Sequence, residues 1–275
     1  MKMQVFLLIA CLFIAGRALQ VPKNVAKLAP RVVLSPLPTV YVYDHCPFCV
    51  RVRLALGLKN IKHNIVFFAN DDVFTPTSLV GKKIAPIFSF ADDIKPMPES
   101  LDIIAKIDSD SRFGATGLFK PMSNRPDLAA WQKKAKEVNS LAQRPRYMMS
   151  PLLAEFSTQD GRDAFVKNHP IPPYEKPEWK EKLSGEERWM AYAKSYDASL
   201  LAISEINKNL QELDKLIFSE EHCTEGGISL DDIDLWSRLR SLTLVKGVEW
   251  PRKLSAYLHN LSAKGDVPLM FSMAC

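Results

Sequence analysis

The stretch YDHCPFCVRV, residues 43–52, holds two cysteines three positions apart, Cys46 and Cys49, with Pro47 and Phe48 between them. It overlaps the end of TVYVYD, a β-branched and aromatic run that is typical of a strand. In CPFCVRVRLALGLKN, which follows, apolar residues recur at helical spacing and the proline falls in the first turn, where it is favourable. The two thiols are therefore predicted to lie where a strand passes into the N-terminus of a helix.

A cysteine pair of this kind can serve a metal ion, a structural disulfide or a redox reaction. A structural zinc site takes four ligands, and the remaining cysteines and the five histidines provide no second pair at ligand spacing. Five cysteines, one of them in the N-terminal leader, also do not suit a disulfide framework. We therefore expect no metal and favour a redox role for the pair.

The redox interpretation gives the two thiols different tasks. Cys46 lies at a helix N-terminus, where unpaired N–H groups and the helix dipole favour a thiolate that attacks a disulfide. Cys49, one turn further, is placed to resolve the mixed disulfide. His45 adds positive charge or is merely a turn residue. Arg51 and Arg53 assist an anionic substrate or, as is usual for helix arginines, are solvated.

The segments after the motif alternate between strand and helix patterns. HNIVFFA predicts a strand, TPTSLVGKK a short helix or turn, residues 87–90 and 94–97 a hairpin around Asp92 and Asp93, and Ser100–Asp108 a helix. The order β-α-β-α-β-β-α, with the cysteine pair at the first strand-to-helix junction, is the thioredoxin-like layout. We therefore predict a thioredoxin-like α/β domain over residues 40–108.

Two downstream features fit a substrate site near the thiols. In a thioredoxin-like domain the Ala85–Pro86 peptide is expected to be cis, to face the thiols and to offer the Ala85 backbone to a substrate chain. The alternative is a trans proline that opens an edge strand. In MPESLDI, Glu99 and Ser100 begin a helix whose N–H groups and hydroxyl can bind a carboxylate, while Glu99 can receive an ammonium group. A plain helix cap is the alternative there.

Beyond residue 108 the strand patterns end and helical spacing dominates. Residues 109–126, rich in glycine and proline, are predicted to form a linker, and residues 127–275 an all-α domain. Its helices are predicted at Leu128–Leu141, at Leu152–Val166, at Glu186–Phe218 as one helix or a broken pair, from Ser229 onward, and from Pro251 to Leu261. Ser229 and Asp232 form a capping box. The Pro-rich residues 168–185 are predicted to be a surface loop.

The N-terminal leader carries the charge imbalance of the chain. The formal net charge is +5, and five basic residues and no acidic one precede Val40. Residues 40–275 are therefore neutral overall, which argues against a nucleic-acid partner. Lys2, the apolar run at residues 5–15 and a cleavage site after Ala18 are typical of a signal peptide. We predict that residues 1–39 are a presequence for import into an organelle such as a plastid. The alternative is a secretory signal with a linker.

Several segments resemble one known family. YVYDHCPFC, LKNI, NDD, TPT, VGKK, API, MPESLDI, EFST, LDKLI, SLTLVKGVEWP and the closing SMAC resemble the two-domain bacterial glutaredoxins of the glutaredoxin-2 type, in order from about residue 40 to the C-terminus. That family is similar in fold to glutathione transferases. The resemblance implies an α/β thioredoxin-like N-terminal domain and an all-α glutathione-transferase-like C-terminal domain.

The resemblance also implies an activity and a site. Cys46 is then the nucleophile that exchanges with glutathione and Cys49 the second thiol. The Ala85 backbone and Pro86 position the cysteine of glutathione, and Glu99 with Ser100 holds its γ-glutamyl end. Phe48 is counted with these residues as glutathione-binding. Three departures stand out: Phe48 replaces the commoner tyrosine, Ala85 replaces a larger β-branched residue, and the leader and the Pro-rich loop are additions.

The expected function is therefore that of a glutathione-dependent thiol–disulfide oxidoreductase. Glutathione is its co-substrate, and disulfide-bearing or glutathionylated proteins are its partners. We expect a monomer that does not insert stably into a membrane, because no segment after the leader is apolar enough to span one. The alternatives are a dehydroascorbate reductase or cysteine-type glutathione transferase, and a non-enzymatic transferase-like binding protein. Retention of Cys49 weighs against the last.

Overall fold

The structure is a computed structural model that describes residues 26–91, 94–149 and 151–275. Its N-terminal part is built on a four-stranded sheet with the order β2-β1-β3-β4. The strands are β1 (Thr39–Val42), β2 (Asn64–Phe67), β3 (Ile87–Phe90) and β4 (Ile94–Pro98). β1 pairs parallel with β2 and antiparallel with β3, and β3 pairs antiparallel with β4. The predicted strands and their hairpin are thereby confirmed, while its tip at Asp92 and Asp93 lies outside the described residues.

Helix α1 (Pro47–Leu58) crosses from β1 to β2 and is the most enclosed element of this domain. Each of its residues from Cys49 to Leu58 is buried. Helices α2 (Phe74–Val80) and α3 (Ser100–Ser109) complete the domain. α1 packs on α3 on one side and on helices of the C-terminal part on the other, so that from Cys49 onward neither of its faces meets solvent.

The C-terminal part consists of helices and connecting loops, with no strand among its described residues. Its helices are α4 (Pro126–Met149), α5 (Gln159–Asn168), α6 (Lys176–Glu181), α7 (Gly185–Leu216), α8 (Leu230–Arg240) and α9 (Arg252–Gly265). α7 is one continuous helix rather than a broken pair, and it packs along α4. The capping box of Ser229 and Asp232 is present as predicted, and a second one, Ser184 with Glu187, begins α7. Side-chain oxygens in such boxes satisfy backbone N–H groups that the first turn leaves unpaired.

Three boundaries in this part differ from the sequence-based prediction. α4 runs on to Met149 through Pro145, because buried residues of its last turns continue the packed face. The second predicted helix begins late: a 3-10 turn (Ala154–Phe156) comes first, and Thr158 then caps α5 by accepting a hydrogen bond from the Gly161 N–H. The predicted surface loop is wrong, because it contains α6, whose Trp179 is completely buried.

The two parts share one apolar core, which runs from the sheet through α1 to α4, α7, α8 and α9. A second buried cluster, around Phe165, Trp179 and Tyr192, lies within the helical part. The predicted linker is also packed: Phe113 is buried, and the Lys120 N–H donates to the Ile228 carbonyl at 3.0 Å. The helical part is therefore positioned firmly against α1, the helix that carries both thiols.

The predicted presequence falls partly outside the described residues. Residues 1–25 are not described, whereas the segment that follows contacts the folded body. The Val32 N–H donates to the Asn60 carbonyl at 2.9 Å, and Lys27 Nζ contacts a carboxylate oxygen of Asp266 at 2.7 Å. Residues 27–32 thus belong to the folded N-terminal domain, although they precede its first strand.

Candidate active site

Cys46 and Cys49 lie at the first turn of α1, and both are free thiols. Cys46 is the residue that precedes the helix, with extended backbone angles, and its side chain is partly exposed. Cys49 is completely buried one turn further, and its Sγ accepts a hydrogen bond from the Tyr43 N–H at 3.3 Å. The expected strand-to-helix junction therefore separates an accessible thiol from an enclosed one.

The two thiols also differ in acidity. A hydrogen bond from the Cys49 thiol, the charge of His45 and backbone N–H groups of the first turn outweigh burial and lower the pKa of Cys46 to about 6. Burial and the neighbouring Cys46 sulfur instead raise the pKa of Cys49 well above its usual value. At neutral pH, Cys46 is then the thiolate and Cys49 the proton-bearing donor. This is the division that a nucleophile and a resolving thiol require.

His45 is held from the helical domain. Oε1 of Glu155, in the 3-10 turn before α5, accepts from the His45 backbone N–H at 2.8 Å and lies 2.7 Å from His45 Nδ1. The imidazole ring also packs against the rings of Tyr147, Phe156 and Phe165, at centroid distances of 5.1, 4.9 and 5.2 Å. The residue before the nucleophile is therefore an interdomain contact rather than a simple turn residue.

The Ala85–Pro86 peptide is cis, as predicted. Pairing of β3 begins at Ile87, and no described residue forms a hydrogen bond with the Ala85 backbone. Ala85 itself is half-buried against the core that includes Cys49, and Pro86 is buried. The Ala85 backbone therefore retains unpaired hydrogen-bonding groups at the end of a strand.

Phe48 stands between the cysteines and is 47% exposed. The guanidinium of Arg51 lies over this ring, with its Cζ 4.7 Å from the ring centroid. The ring is thus oriented by a cation–π contact. Within the motif, Phe48 presents an apolar surface directly beside the partly exposed Cys46.

Glu99 and Ser100 begin α3, on the element that follows the hairpin. Glu99 has a φ of +73°, which is uncommon for a residue other than glycine, and no side chain caps the helix. Its carboxylate is exposed, and its Oε1 lies 3.8 Å from Lys82 Nζ. The Ser100 hydroxyl is buried and accepts a hydrogen bond from Arg51 Nη1 at 3.3 Å. The start of α3 therefore lacks a side-chain cap, which excludes the plain helix cap. The partner of the Ser100 hydroxyl is Arg51, a contact that the sequence did not indicate.

The expectation that Arg51 is solvated is wrong. Its guanidinium is buried and forms an ion pair with Asp234 of α8, which Gln132 of α4 also contacts at 3.1 Å. Burial raises the pKa of Asp234, but the charges of Arg51 and Arg238 outweigh this and lower it overall. Because α8 covers the outer side of α1, this residue meets another helix instead of water.

Arg53 is buried as well, so the same expectation is wrong for it. It pairs with Asp44, which lies just before the motif, and Arg240 of α8 reaches the same carboxylate at 3.0 Å. Arg240 also donates to the Asp44 carbonyl at 2.7 Å. Glu155, Asp234 and Arg240 could not be predicted from the sequence as neighbours of the motif, because they lie more than a hundred residues from it. Of the three, Glu155 alone falls in a segment, EFST, that resembles a known family.

Comparison with known proteins assigns the chain to a family. The family model described as "Glutaredoxin 2, C terminal domain" matches residues 127–274, and that described as "Glutathione S-transferase, N-terminal domain" matches residues 40–113. Glutaredoxin 2 of Escherichia coli strain K12 is 35% identical over 236 residues, which cover 86% of this chain and 99% of that protein. The chain belongs to the glutaredoxin 2 family.

Solved structures agree with the glutaredoxin 2 assignment. The crystal structure of glutaredoxin 2 from Salmonella typhimurium in complex with glutathione is 34% identical, with a TM-score of 0.71 over 86% of this chain and 99% of that one. A glutathione S-transferase from Rhodospirillum rubrum F11, 11% identical with a TM-score of 0.50 over 86% and 91% of the two chains, shares the fold. The predicted thioredoxin-like and glutathione-transferase-like halves are thereby confirmed.

Two further observations concern this glutaredoxin 2 family member. Within residues 26–91, 94–149 and 151–275, no group of three or more His, Cys, Asp or Glu side chains is arranged to hold a metal ion. In the same part of the chain, none of the helices has both the length and the apolar character needed to cross a membrane.

Proposed function

We propose that this glutaredoxin 2 family member is a glutathione-dependent thiol–disulfide oxidoreductase that reduces protein disulfides and glutathione mixed disulfides. The observation that carries the proposal is the pair of unequal thiols: a partly exposed Cys46 with a pKa of about 6 and a buried Cys49 with a raised pKa. A relative that is 34% identical was crystallised with glutathione. The unequal thiols supply an activated nucleophile, and the relative's complex supports glutathione as the co-substrate.

On a glutathione mixed disulfide, Cys46 alone completes the cycle. Its thiolate attacks the glutathione sulfur, a Cys46–glutathione disulfide forms, and the thiolate of the substrate protein leaves. The thiolate of a second glutathione then attacks the glutathione sulfur of this disulfide. Glutathione disulfide and the Cys46 thiolate are released, so that the two electrons come from two glutathione molecules.

On a protein disulfide, Cys49 is needed as well. Cys46 first attacks one substrate sulfur and forms an intermolecular disulfide. Cys49 then loses its proton, which passes to the departing substrate thiolate, and attacks the Cys46 sulfur. The substrate thiolate released by the first attack takes its proton from water, so that the substrate leaves as a dithiol. Two glutathione molecules reduce the resulting Cys46–Cys49 disulfide.

The proposed glutathione subsites use the residues that surround the thiols. The unpaired Ala85 backbone, beside Pro86, offers strand-like hydrogen bonds to the cysteinyl part of the tripeptide. The uncapped first turn of α3, with Ser100, receives the γ-glutamyl carboxylate, and Glu99 receives the ammonium group. Phe48 covers the approach to Cys46 with an apolar ring.

The test compares Cys46→Ser with Cys49→Ser in glutathione-coupled reduction of a mixed disulfide. Cys46→Ser is expected to abolish activity, because no thiolate remains to attack. Cys49→Ser is expected to keep at least part of it, because the mixed-disulfide cycle needs one thiol. Cys275→Ser, which changes another partly exposed cysteine, is the matched control and is expected to have wild-type activity. Full activity in Cys46→Ser would contradict the proposal, and faster turnover of dehydroascorbate than of disulfides would favour a dehydroascorbate reductase.

We also propose that the leader directs the chain into an organelle such as a plastid, and that the mature protein is a monomer. The contacts of Lys27 and Val32 with the folded body support a mature N-terminus that precedes Lys27, so that the removed leader is shorter than residues 1–39. N-terminal sequencing of the native protein and its fractionation among organelles test the location. Light scattering of the mature chain tests the monomer. A native N-terminus at Met1 would contradict removal of the leader.

A further inference from the structure

Glu155 is the point at which the helical domain reaches the residue next to the nucleophile. Its side chain is completely buried, and one of its oxygens, Oε1, serves both the backbone N–H and the Nδ1 of His45. The other oxygen, Oε2, is buried and accepts no hydrogen bond from a described residue. The carboxylate is thus committed to His45, although 110 positions separate the two residues along the chain.

The backbone around Glu155 is held as firmly as its side chain. The Glu155 carbonyl accepts a hydrogen bond from the Asn70 N–H at 3.0 Å, which ties the 3-10 turn to the loop after β2. Gly161 of α5 packs so closely on the same carbonyl that a Cβ at this position would approach its oxygen to 2.6 Å. Contacts with both domains therefore fix the backbone that carries this carboxylate.

The imidazole of His45 has little freedom to turn away. Aromatic rings from α4, from the 3-10 turn and from α5 surround it, and its Nδ1 faces Glu155. Its backbone carbonyl also accepts a hydrogen bond from the Ser241 hydroxyl at 3.3 Å. An ionised carboxylate against Nδ1 is complementary to the charge of an imidazolium. The ring is therefore oriented, beside Cys46, by groups that belong to the helical domain.

We propose that Glu155 is a positioning residue of the glutaredoxin reaction: it fixes the imidazole of His45 beside Cys46, so that the helical domain stabilises the reactive thiolate. The consequence for turnover rests on the proposed function, whereas the effect on the thiolate does not. In the two steps of the glutathione mixed-disulfide cycle, Cys46 is first the attacking and then the departing sulfur. A group that stabilises its thiolate acts at each of these steps.

The acidities agree with this arrangement. Burial raises the pKa of Glu155, but hydrogen bonds and the charge of His45 outweigh it and leave the pKa lower than usual, so the carboxylate is ionised at neutral pH. The charge of His45, after the hydrogen bond from Cys49, is among the causes that lower the pKa of Cys46.

The remaining polar groups near the pair are neutral or paired elsewhere. Burial raises the pKa values of Tyr43 and Tyr147, so both phenols keep their protons. Burial also lowers the pKa of His169 to about 4, which leaves it uncharged at neutral pH. The charged groups further from the pair have partners of their own: Asp44, in the loop after β1, pairs with Arg53 of α1 and Arg240 of α8, and Arg144 of α4 donates to the Pro170 carbonyl in the loop after α5. Among the described residues, Glu155 is thus the ion-pair partner of His45.

Glu155→Gln is the variant that isolates the charge. The amide keeps an oxygen that can accept both hydrogen bonds from His45, and its NH₂ group replaces the oxygen that has no described partner. Glu205→Gln, the same change at an exposed position of α7, is the matched control. Both are made in the full, reduced chain, and the folded state of each is checked by circular dichroism.

The readout is the rate at which iodoacetamide alkylates Cys46, followed from pH 4 to 10 by mass spectrometry of the Cys46 peptide. The proposal expects the midpoint of Glu155→Gln to rise by about one pH unit, because His45 loses the partner of its charge. Alkylation then slows about tenfold at pH 5 and is unchanged at pH 10. The Glu205→Gln profile is expected to match the wild type.

The direction of the shift decides the matter. If Glu155 acted on Cys46 only through space, removal of its negative charge would lower the midpoint, because a nearby anion disfavours a thiolate. A lowered or unchanged midpoint therefore overturns the proposal. Loss of glutathione-coupled activity with an unchanged midpoint overturns it too.

A second variant keeps the test decisive if Glu155→Gln unfolds. His45→Asn retains the backbone N–H that Glu155 binds but lacks the imidazole, and it is expected to raise the midpoint by a similar amount. In the double variant, Glu155→Gln is expected to add no further rise, since it acts through His45. A wild-type midpoint in His45→Asn would overturn the proposal. Because alkylation uses no glutathione, failure of the proposed enzyme activity would leave this result readable.

Discussion

The thioredoxin-like domain and the helical domain supply different things to the same site. The thioredoxin-like domain presents the groups proposed to touch substrate, namely Cys46, the Ala85 backbone and the first turn of α3, all at strand ends or helix starts. The helical domain presents mainly charged side chains, Glu155, Asp234 and Arg240, that bind residues beside those groups. The reactive atoms therefore come from one short motif, whereas much of their electrostatic surroundings is assembled from the other half of the chain.

Removal of the Asp44 carboxylate tests the charged part of this arrangement and has the largest expected effect on stability. Asp44→Ala leaves the guanidinium groups of Arg53 and Arg240 buried without their anion, 6% and 1% exposed respectively. We expect the free energy of unfolding to fall by about 4 kcal/mol, as is typical when one partner of a buried ion pair is removed. Urea denaturation measures this loss.

The control for this prediction is an exposed ion pair. Lys134 and Glu212 lie 2.7 Å apart with about half of each side chain exposed, so Glu212→Ala is expected to cost less than about 1 kcal/mol. Equal losses in Asp44→Ala and Glu212→Ala would show that the charges around the motif do not hold the two domains together.

The glycines of α1 and α9 test the contribution of shape rather than charge. A Cβ on Gly57 of α1 would overlap the carbonyl oxygen of Gly265, at the end of α9. Gly57→Ala is therefore expected to push the helical domain away from α1 and to lower the free energy of unfolding by about 3 kcal/mol. Thermal unfolding of the purified chain measures it.

Gly185→Ala provides the comparison for Gly57→Ala. A Cβ at Gly185, in the first turn of α7, meets no atom within 4 Å, so this variant is expected to lose no stability. If Gly57→Ala is as stable as the wild type, then the close approach of α1 and α9 is not needed for docking.

The pH dependence of stability tests the Cys46 thiolate at the start of α1, and its expected effect is the smallest. The pKa of Cys46 is lowered to about 6 in the folded chain, against about 8.5 for an unfolded cysteine. The stability that its thiolate contributes is therefore complete above about pH 8.5 and is lost as the pH falls through 6. We expect the reduced chain to gain about 2 kcal/mol relative to Cys46→Ser between pH 6 and pH 8.5.

Chemical denaturation of both chains in a series of buffers measures this gain. The difference between the two chains is the quantity that matters, because other titrating groups are common to both. Parallel stability profiles would show that the start of α1 and its neighbours do not favour the thiolate.

Much of the fold follows from local patterns. The β-branched run before Cys46, the helical spacing after it and the hairpin at residues 87–97 all correspond to observed elements, because each pattern reflects burial of its own side chains. The segment from Leu152 to Gly185 was harder to predict. There Thr158 delays α5 and Trp179 anchors α6 in a core made by distant residues, so the local pattern of proline and charge was misleading.

The same division holds for the site. The motif CPFC, the Ala85–Pro86 peptide and the start of α3 could be found from the sequence, because each depends on backbone groups at the end of an element. The solvated alternative for Arg51 and Arg53 was wrong, since a helix that is covered on both sides cannot be recognised from its own periodicity. Glu155 could not be assigned a partner, because its contact with His45 spans 110 residues.

The sequence by itself determined that a reactive thiol stands at the start of α1, since the strand, the proline and the helical spacing that produce this junction lie within about twenty adjacent residues. Only the tertiary structure decided which charges surround that thiol. Ion pairs such as His45–Glu155 and Arg240–Asp44 form because docking of the helical domain removes these groups from water. Once buried, each charge requires a partner, whatever its distance along the chain.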